Sequence, residues 1–227
     1  MFAFNRATLA ALLVAAALIG AWPAGARANP VLEIEFQSGA VSYTSAAGPG
    51  PLIVSHPIGS FTTSASIGTA TAFPSSLDLS TCDISSAAGG TLIVTLSASG
   101  FTNPVGAANW LSEFSGSFVY GSGTVKLQTY LDTEDDLLGK GAALSTLRGD
   151  GGFDVKKVAM ATTDGPFALT EVLTISTAGP AEVSLDGSIV FAPEPASMSL
   201  LGAGLSGLIV VSRRKRHGSQ MRVTKAS

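Results

Sequence analysis

A chain of 227 residues can form one domain of ordinary size or two small ones. With 46% hydrophobic and only 13% charged side chains, it is neither a charged disordered segment nor a coiled coil, and its body has no nucleic-acid-binding composition. The single cysteine, Cys82, excludes an intramolecular disulfide and a multi-cysteine metal cluster, and His56 and His217 are too few for a histidine-rich metal site.

The N-terminus opens with Arg6 in a short basic region, then an apolar run from Ala7 to Ile19, then Ala26-Arg27-Ala28 ahead of Asn29. Basic, apolar and small-x-small in that order describe a secretory signal peptide over 1–28, cut between Ala28 and Asn29 by signal peptidase. Ala24-Gly25-Ala26 offers an alternative cut. The competing reading, an uncleaved anchor helix, needs a run of about 20 apolar residues, which this one does not reach.

From Asn29 onward the period is two. Leu32, Ile34 and Phe36 alternate with Glu33 and Glu35. Leu92, Val94 and Leu96 form a second series, and Val125, Leu127, Thr129 and Leu131 a third. Phe167, Leu169, Leu173 and Ile175 follow, then Val183, Leu185, Ile189 and Phe191. Such alternation marks half-buried strands. Turn signals punctuate them at Gly48-Pro49-Gly50, Gly89-Gly90, Asn103-Pro104, Gly121-Ser122-Gly123, Gly151-Gly152, Asp164-Gly165-Pro166, Gly179-Pro180 and Asp186-Gly187. The fold class expected is all-β, an antiparallel β-sandwich or jelly-roll-like body, with an N-terminal signal helix and a single C-terminal transmembrane helix. The Ser/Thr-rich stretch Ser42 to Ser86 reads as edge strands and loops, and Asn109 to Phe114 as a short helix. The expected core is Ile34, Phe36, Leu92, Val94, Leu96, Phe118, Leu127, Leu131, Leu169, Leu173, Leu185, Ile189 and Phe191.

Charge is segregated. Residues 29–192 carry 15 acidic and five basic side chains, a net charge near −10. An acidic body repels nucleic-acid phosphates and stays soluble. At the C-terminus, Pro193-Glu194-Pro195 precedes an uncharged stretch from Ala196 to Ser212, and Arg213-Arg214-Lys215-Arg216 follows. As a helix that stretch would span about 25 Å, slightly thin for a bilayer core. Its basic stop stays cytoplasmic and leaves the body outside the inner membrane. A buried core helix is the alternative, but the stretch has no polar face and ends in four consecutive basic residues.

These three ordered features resemble the PEP-CTERM sorting domain: Pro193-Glu194-Pro195, the small-residue apolar run around Leu200 to Leu205, and Arg213 to Arg216. The resemblance implies recognition by an exosortase, a membrane peptidase-transferase of bacteria that make exopolysaccharide, with cleavage near the PEP residues. The same C-terminal domain is also labelled the ice-binding protein C-terminal domain, a label that describes the anchor and not the body. This chain departs from the pattern in running on from His217 to Ser227. Segments such as Ala88-Gly89-Gly90-Thr91-Leu92, Thr129-Tyr130-Leu131-Asp132 and Gly165-Pro166-Phe167-Ala168-Leu169-Thr170 are similar to poorly characterised PEP-CTERM bodies, which implies a β-rich extracellular domain and no catalytic residues. The domains expected are thus a signal peptide over 1–28, the body over 29–192, the sorting and anchor segment over 193–216, and a basic cytoplasmic tail over 217–227. Prolines flanking Glu194 block helix and keep that peptide extended. Ala203 and Gly207, four apart, offer a weaker alternative use of the segment as a helix-dimer contact.

Within the body, Asp132, Glu134, Asp135 and Asp136 are the one cluster with calcium-ligand chemistry, with Asp150 and Asp154 as further candidates. The EF-hand pattern fails because Leu137 stands where the turn glycine is required, and a solvated turn is the preferred reading. Ser55-His56 lacks a nucleophile elbow, and no carboxylate pair is fixed for glycoside hydrolysis. Cys82 reads as an inert thiol in a polar segment. Trp110 near Phe114 reads as core rather than as a sugar-stacking platform. The expected function is an exported, non-enzymatic cell-surface or matrix protein, structural or adhesive in exopolysaccharide-dependent biofilm, with no cofactor. A carbohydrate-binding module is the first alternative, and a secreted hydrolase the second.

Overall fold

Period-two alternation needs a partner sheet to bury its apolar face, and the body supplies one from its own chain. The structure, a computed structural model, describes residues 29–193, with backbone alone at 64–67 and 81. In chain order its strands are β1 (Val31–Ser38), β2 (Val41–Thr44), β3 (Gly48–Pro49), β4 (Leu52–Val54), β5 (Pro57–Ile58), β6 (Phe61–Ala72), β7 (Ser75–Ser86), β8 (Gly90–Phe101), β9 (Gly106–Tyr120), β10 (Gly123–Asp132), β11 (Ala142–Gly149), β12 (Gly152–Thr163), β13 (Phe167–Thr177) and β14 (Ala181–Ala192). One seven-stranded sheet runs β11-β10-β13-β8-β1-β2, with β3 beside β1. The second runs β12-β9-β14-β7-β6-β4, with β5 beside β6. Every pairing in both is antiparallel. The expected signal and transmembrane helices lie outside the described residues.

The core sits between the two inner faces. Ile34, Phe36, Leu92, Val94, Leu96, Leu127, Leu131, Leu169, Leu173, Leu185 and Ile189 are buried there as expected. Phe118 and Phe191 are only partly buried and pack against the core. Trp110 stands edge-on to Phe167 at 5.5 Å, and Phe167 stacks on Phe101 at 5.4 Å. Such offset and edge arrangements add to the area these rings bury.

Two expectations fail. Asn109 to Phe114 is not helical: it lies in β9, with Ala108, Trp110, Ser112 and Phe114 all pointing inward. Trp110 and Phe114, four apart, fit a helix face and a strand face equally, and the buried Ser112 between them hides the alternation. Asp186-Gly187 is not a turn but lies inside β14, opposite the point where the register of β7 against it shifts, between Leu185 and Gly187. Ser80 and Thr81 of β7 oppose Asp186 alone there, which is a bulge. The stretch Ser42 to Ser86 does hold the short edge strands β2 to β5. It also holds β7, an interior strand that buries Leu77, Leu79, Cys82 and Ile84.

The register fixes which loops share an end. Val31 pairs with Ser99, Ala192 with Asn109, Ala142 with Leu131 and Gly106 with Thr163. Both limits of the described chain, the 102–105 loop and the 133–141 loop therefore lie at one end, the exit end. The turns at 87–89, 121–122, 150–151 and 178–180 lie at the opposite end.

Candidate functional site

The expected calcium cluster is a hydrogen-bonded loop at the exit end. Asp132 Oδ1 accepts the Glu134 amide at 3.0 Å, an Asx-type turn. Asp135, with a left-handed φ of 60°, accepts the Gly100 amide at 2.7 Å and so ties the loop to β8. The Asp136 carbonyl accepts the Gly139 amide. Asp150 does not join them: β11 carries the chain from the Asp132 end to the far end before Asp150 is reached, and Asp154 follows on β12. Among the described residues no three acidic, histidine or cysteine side chains are placed to share a metal ion.

Ser55 and His56 do not form a dyad. Ser55 donates to the Thr63 carbonyl at 2.9 Å, and the His56 ring stacks on Tyr43 at 4.0 Å. The Thr63 hydroxyl accepts the His56 amide, which pins this turn to β6. Cys82 lies in the apolar interior rather than in a polar segment, because the β7 bulge at Ser80 and Thr81 returns position 82 to the inward face that Leu77 and Leu79 occupy. Trp110 and Phe114 are fully buried and offer no platform. Of the processing residues, Asn29 and Pro193 fall at the two limits of the described chain, while Ala26, Ala28, Glu194, Pro195, Arg213, Arg214, Lys215 and Arg216 lie outside it.

A site that the sequence did not reveal crosses the outer face of the second sheet. Register aligns Lys156, Glu113, Ser188 and Asp78 in one row, and Asp154, Ser115 and Asp186 in the next. These residues line a shallow cavity of about 310 Å³ with Gly187 and Phe114 in its floor. Lys156 Nζ meets Glu113 Oε1 at 2.8 Å, and this contact, with the charges of Glu113 and Asp154, raises the Lys156 pKa. Asp78 is half-buried. Desolvation raises its pKa, Ser80 pulls it down through a hydrogen bond, and the Asp186 charge raises it further. The carboxylates of one row stand two strands apart, roughly 9–10 Å. Such spacing suits a ligand with several separated polar groups rather than one bare cation.

Beneath that floor lies Glu171 of β13, fully buried, with neither carboxylate oxygen hydrogen-bonded. Burial pushes its pKa well above the carboxylate range and the Asp78 charge adds to this. The Ile189 amide opposes both without reaching hydrogen-bonding geometry. A Cβ on Gly187 would come 3.3 Å from Glu171 Oε2, so the missing side chain is what leaves room for the carboxyl group. The neighbouring interior polar groups pair with one another: Thr129 Oγ1 lies 2.9 Å from Ser112 Oγ and 2.7 Å from Ser145 Oγ, bridging the sheets. One signal could have found Glu171. It occupies the empty place in the series Phe167, Leu169, Leu173, Ile175.

The family profile of the PEP-CTERM protein-sorting motif matches residues 192–216. No curated protein matches the chain. Among solved structures, TmCBM61 in complex with β-1,4-galactotriose aligns at 8% identity and TM-score 0.36, over 63% of this chain and 88% of that one. The mannan-recognising module TmCBM27 aligns at 11% identity and TM-score 0.30, over 60% and 90%. The tailspike protein 4 of bacteriophage CBA120 aligns at 9% and 0.33, over 63% of this chain but only 19% of its own. Likenesses this distant carry no argument about ligand or activity. The motif does: it implies export, a membrane-anchored intermediate and processing by an exosortase. The chain is an all-β antiparallel body that runs directly into a PEP-CTERM protein-sorting motif.

Proposed function

We propose that the chain is an exported, exosortase-processed cell-surface or extracellular-matrix protein with a structural or adhesive role in exopolysaccharide-dependent biofilm. Its parts are a signal peptide over 1–28, the β-sandwich over 29–192, the sorting segment over 193–216 and a basic cytoplasmic tail over 217–227. The observation that carries this reading is the junction. The last strand ends at Ala192, and the sorting motif begins at residue 192. Folded body and processing signal are therefore contiguous, as cargo and address would be. The test is removal of residues 193–216 in the producing bacterium. The body should disappear from the cell surface and medium, and polysaccharide-dependent aggregation should fall. Unchanged surface display would overturn the sorting role. Unchanged aggregation when the whole chain is deleted would overturn the adhesive one.

A second reading, a carbohydrate-binding module, is favoured by the groove of Asp78, Glu113, Ser115, Asp154, Asp186 and Ser188. Carboxylates and hydroxyls in two rows across four strands can accept from and donate to a hydroxyl-rich chain. Selective binding on a glycan array, lost in Asp78→Asn with Asp186→Asn, would support it; an array without selective binding would remove it.

A further inference from the structure

The outer face of the second sheet changes character along its length. Next to the acidic rows, toward the exit end, the register places Val158, Leu111 and Val190 in one row and Met160, Asn109 and Ala192 in the next. Met160 is 76% exposed and Val158 58%. Below them a hollow of about 200 Å³ is lined by Ala107, Ala108, Asn109, Met160, Phe191 and Ala192. Val105, in the loop at the same end, is 68% exposed. Val119 and Tyr120 are also exposed at the opposite end, but here apolar side chains stand side by side in two rows around a hollow, and such a contiguous band is a surface made to be covered.

The chain itself says what covers it. β14 is held by pairing as far as Ala192. Only Pro193, Glu194 and Pro195 separate that residue from the uncharged run that begins at Ala196. Four Cα steps reach at most about 14 Å, so while the run is in the bilayer, the Ala192 corner must rest at the bilayer surface. The apolar band is that corner. The acidic 132–136 loop belongs to the other sheet, and repulsion from anionic headgroups would tilt it away and press Met160 and Val158 down. Just beyond Val158 on β12, Lys156 is held by Glu113 at the edge of the acidic rows, so the body meets the bilayer at the exit end of this face and not along its whole length.

We propose that this band, centred on Met160 and Val158, is a lipid-docking foot. It seats the body on the membrane surface while the sorting segment is anchored, and so holds the PEP residues at a fixed height for processing. The proposal rests on the membrane-anchored intermediate. The test uses the full chain reconstituted in phosphatidylcholine–phosphatidylglycerol vesicles, with a fluorophore on Met160→Cys, on Val158→Cys as a second foot position, or on Ser122→Cys at the opposite end. Native Cys82 is buried and takes no label. Doxyl-labelled lipid should quench most of the emission at 160 and 158 and leave 122 bright. If the chain floats with vesicles and all three positions respond alike, the foot is wrong and the anchor stands. If the chain does not float with vesicles, the anchor fails and the foot with it. Positions 160 and 158 shielded from aqueous iodide but unquenched by doxyl lipid would mean that a protein, a second copy included, covers the band, and would overturn the lipid assignment.

Discussion

Glu171→Gln should flatten the pH dependence of stability. In the folded body Glu171 is wholly buried and without a hydrogen bond, so desolvation, aided by the Asp78 charge, holds its pKa well above the carboxylate range. In the unfolded chain a glutamate titrates near pH 4.3. Above that pH the unfolded state releases a proton that the folded state keeps, so stability falls as pH rises. The contribution is fully present below the unfolded value and is lost progressively until the folded group ionises. One proton corresponds to a slope of about 1.4 kcal/mol for each pH unit. Asp78, raised by its own desolvation, tilts the curve the same way. Glutamine keeps the shape and the unpaired polar atoms but cannot ionise, so the substitution isolates the charge from the volume. The assay is urea unfolding of residues 29–192 at half-unit steps from pH 4.5 to 8, for both forms. The native body should lose stability relative to the variant at every step above pH 5. Parallel curves would show that Glu171 is ionised and solvated in the folded state, and would refute the reasoning.

The other expectations rest on packing, loop bonding and the two ends. Leu127→Ala, which removes a fully buried side chain beside Gly187, should cost about 2–5 kcal/mol in chemical denaturation, and the body should give a β-type circular dichroism spectrum with one cooperative melt. Millimolar calcium and sodium chloride of matched ionic strength should give the same melting curve, because among the described residues no three carboxylates converge to share an ion; a rise specific to calcium, abolished on removing Asp132, Glu134, Asp135 and Asp136, would show a metal site. Intact mass of the protein recovered from the medium should correspond to a chain that begins at Asn29 and ends near residue 195; a 22.8 kDa species there would contradict processing at both ends.

Parity explains how much of this was legible. In β1, β10 and β13 apolar residues recur at every second place with single polar interruptions at Thr129 and Glu171, and a strand has only two faces, so naming the alternation names most of the core. Pairing order was not legible, because alternation is identical whichever strand lies alongside. That ignorance is why Asp150 seemed able to join Asp132, although β11 separates them by its whole length. The side chain of Cys82 was hidden for a related reason: the β7 bulge resets parity between Leu79 and Cys82, so counting by twos from Leu77 points it the wrong way. In β9 a serine took an inward place and made a strand look helical.

The two most informative residues were visible as omissions. Phe167, Leu169, Leu173 and Ile175 skip position 171, and Val183, Leu185, Ile189 and Phe191 skip position 187. Each gap alone reads as an imperfect strand, and Asp186-Gly187 alone reads as a turn. In the folded body the two gaps meet: a glutamate too polar for the core lies opposite the one residue with no side chain to exclude it. Ordinary alternation along β14 then places a second carboxylate, Asp186, on the outer side of the sheet that carries Gly187, in the groove with Asp78. A larger residue at 187 would have to displace either Leu127 or the carboxyl group, both of which a Cβ would already crowd. The glycine is therefore a requirement of Glu171 more than of β14, and the pair should be exchanged together: Glu171→Leu should make Gly187→Ala less costly than it is alone. Strict additivity of the two changes would show that the residues do not constrain one another.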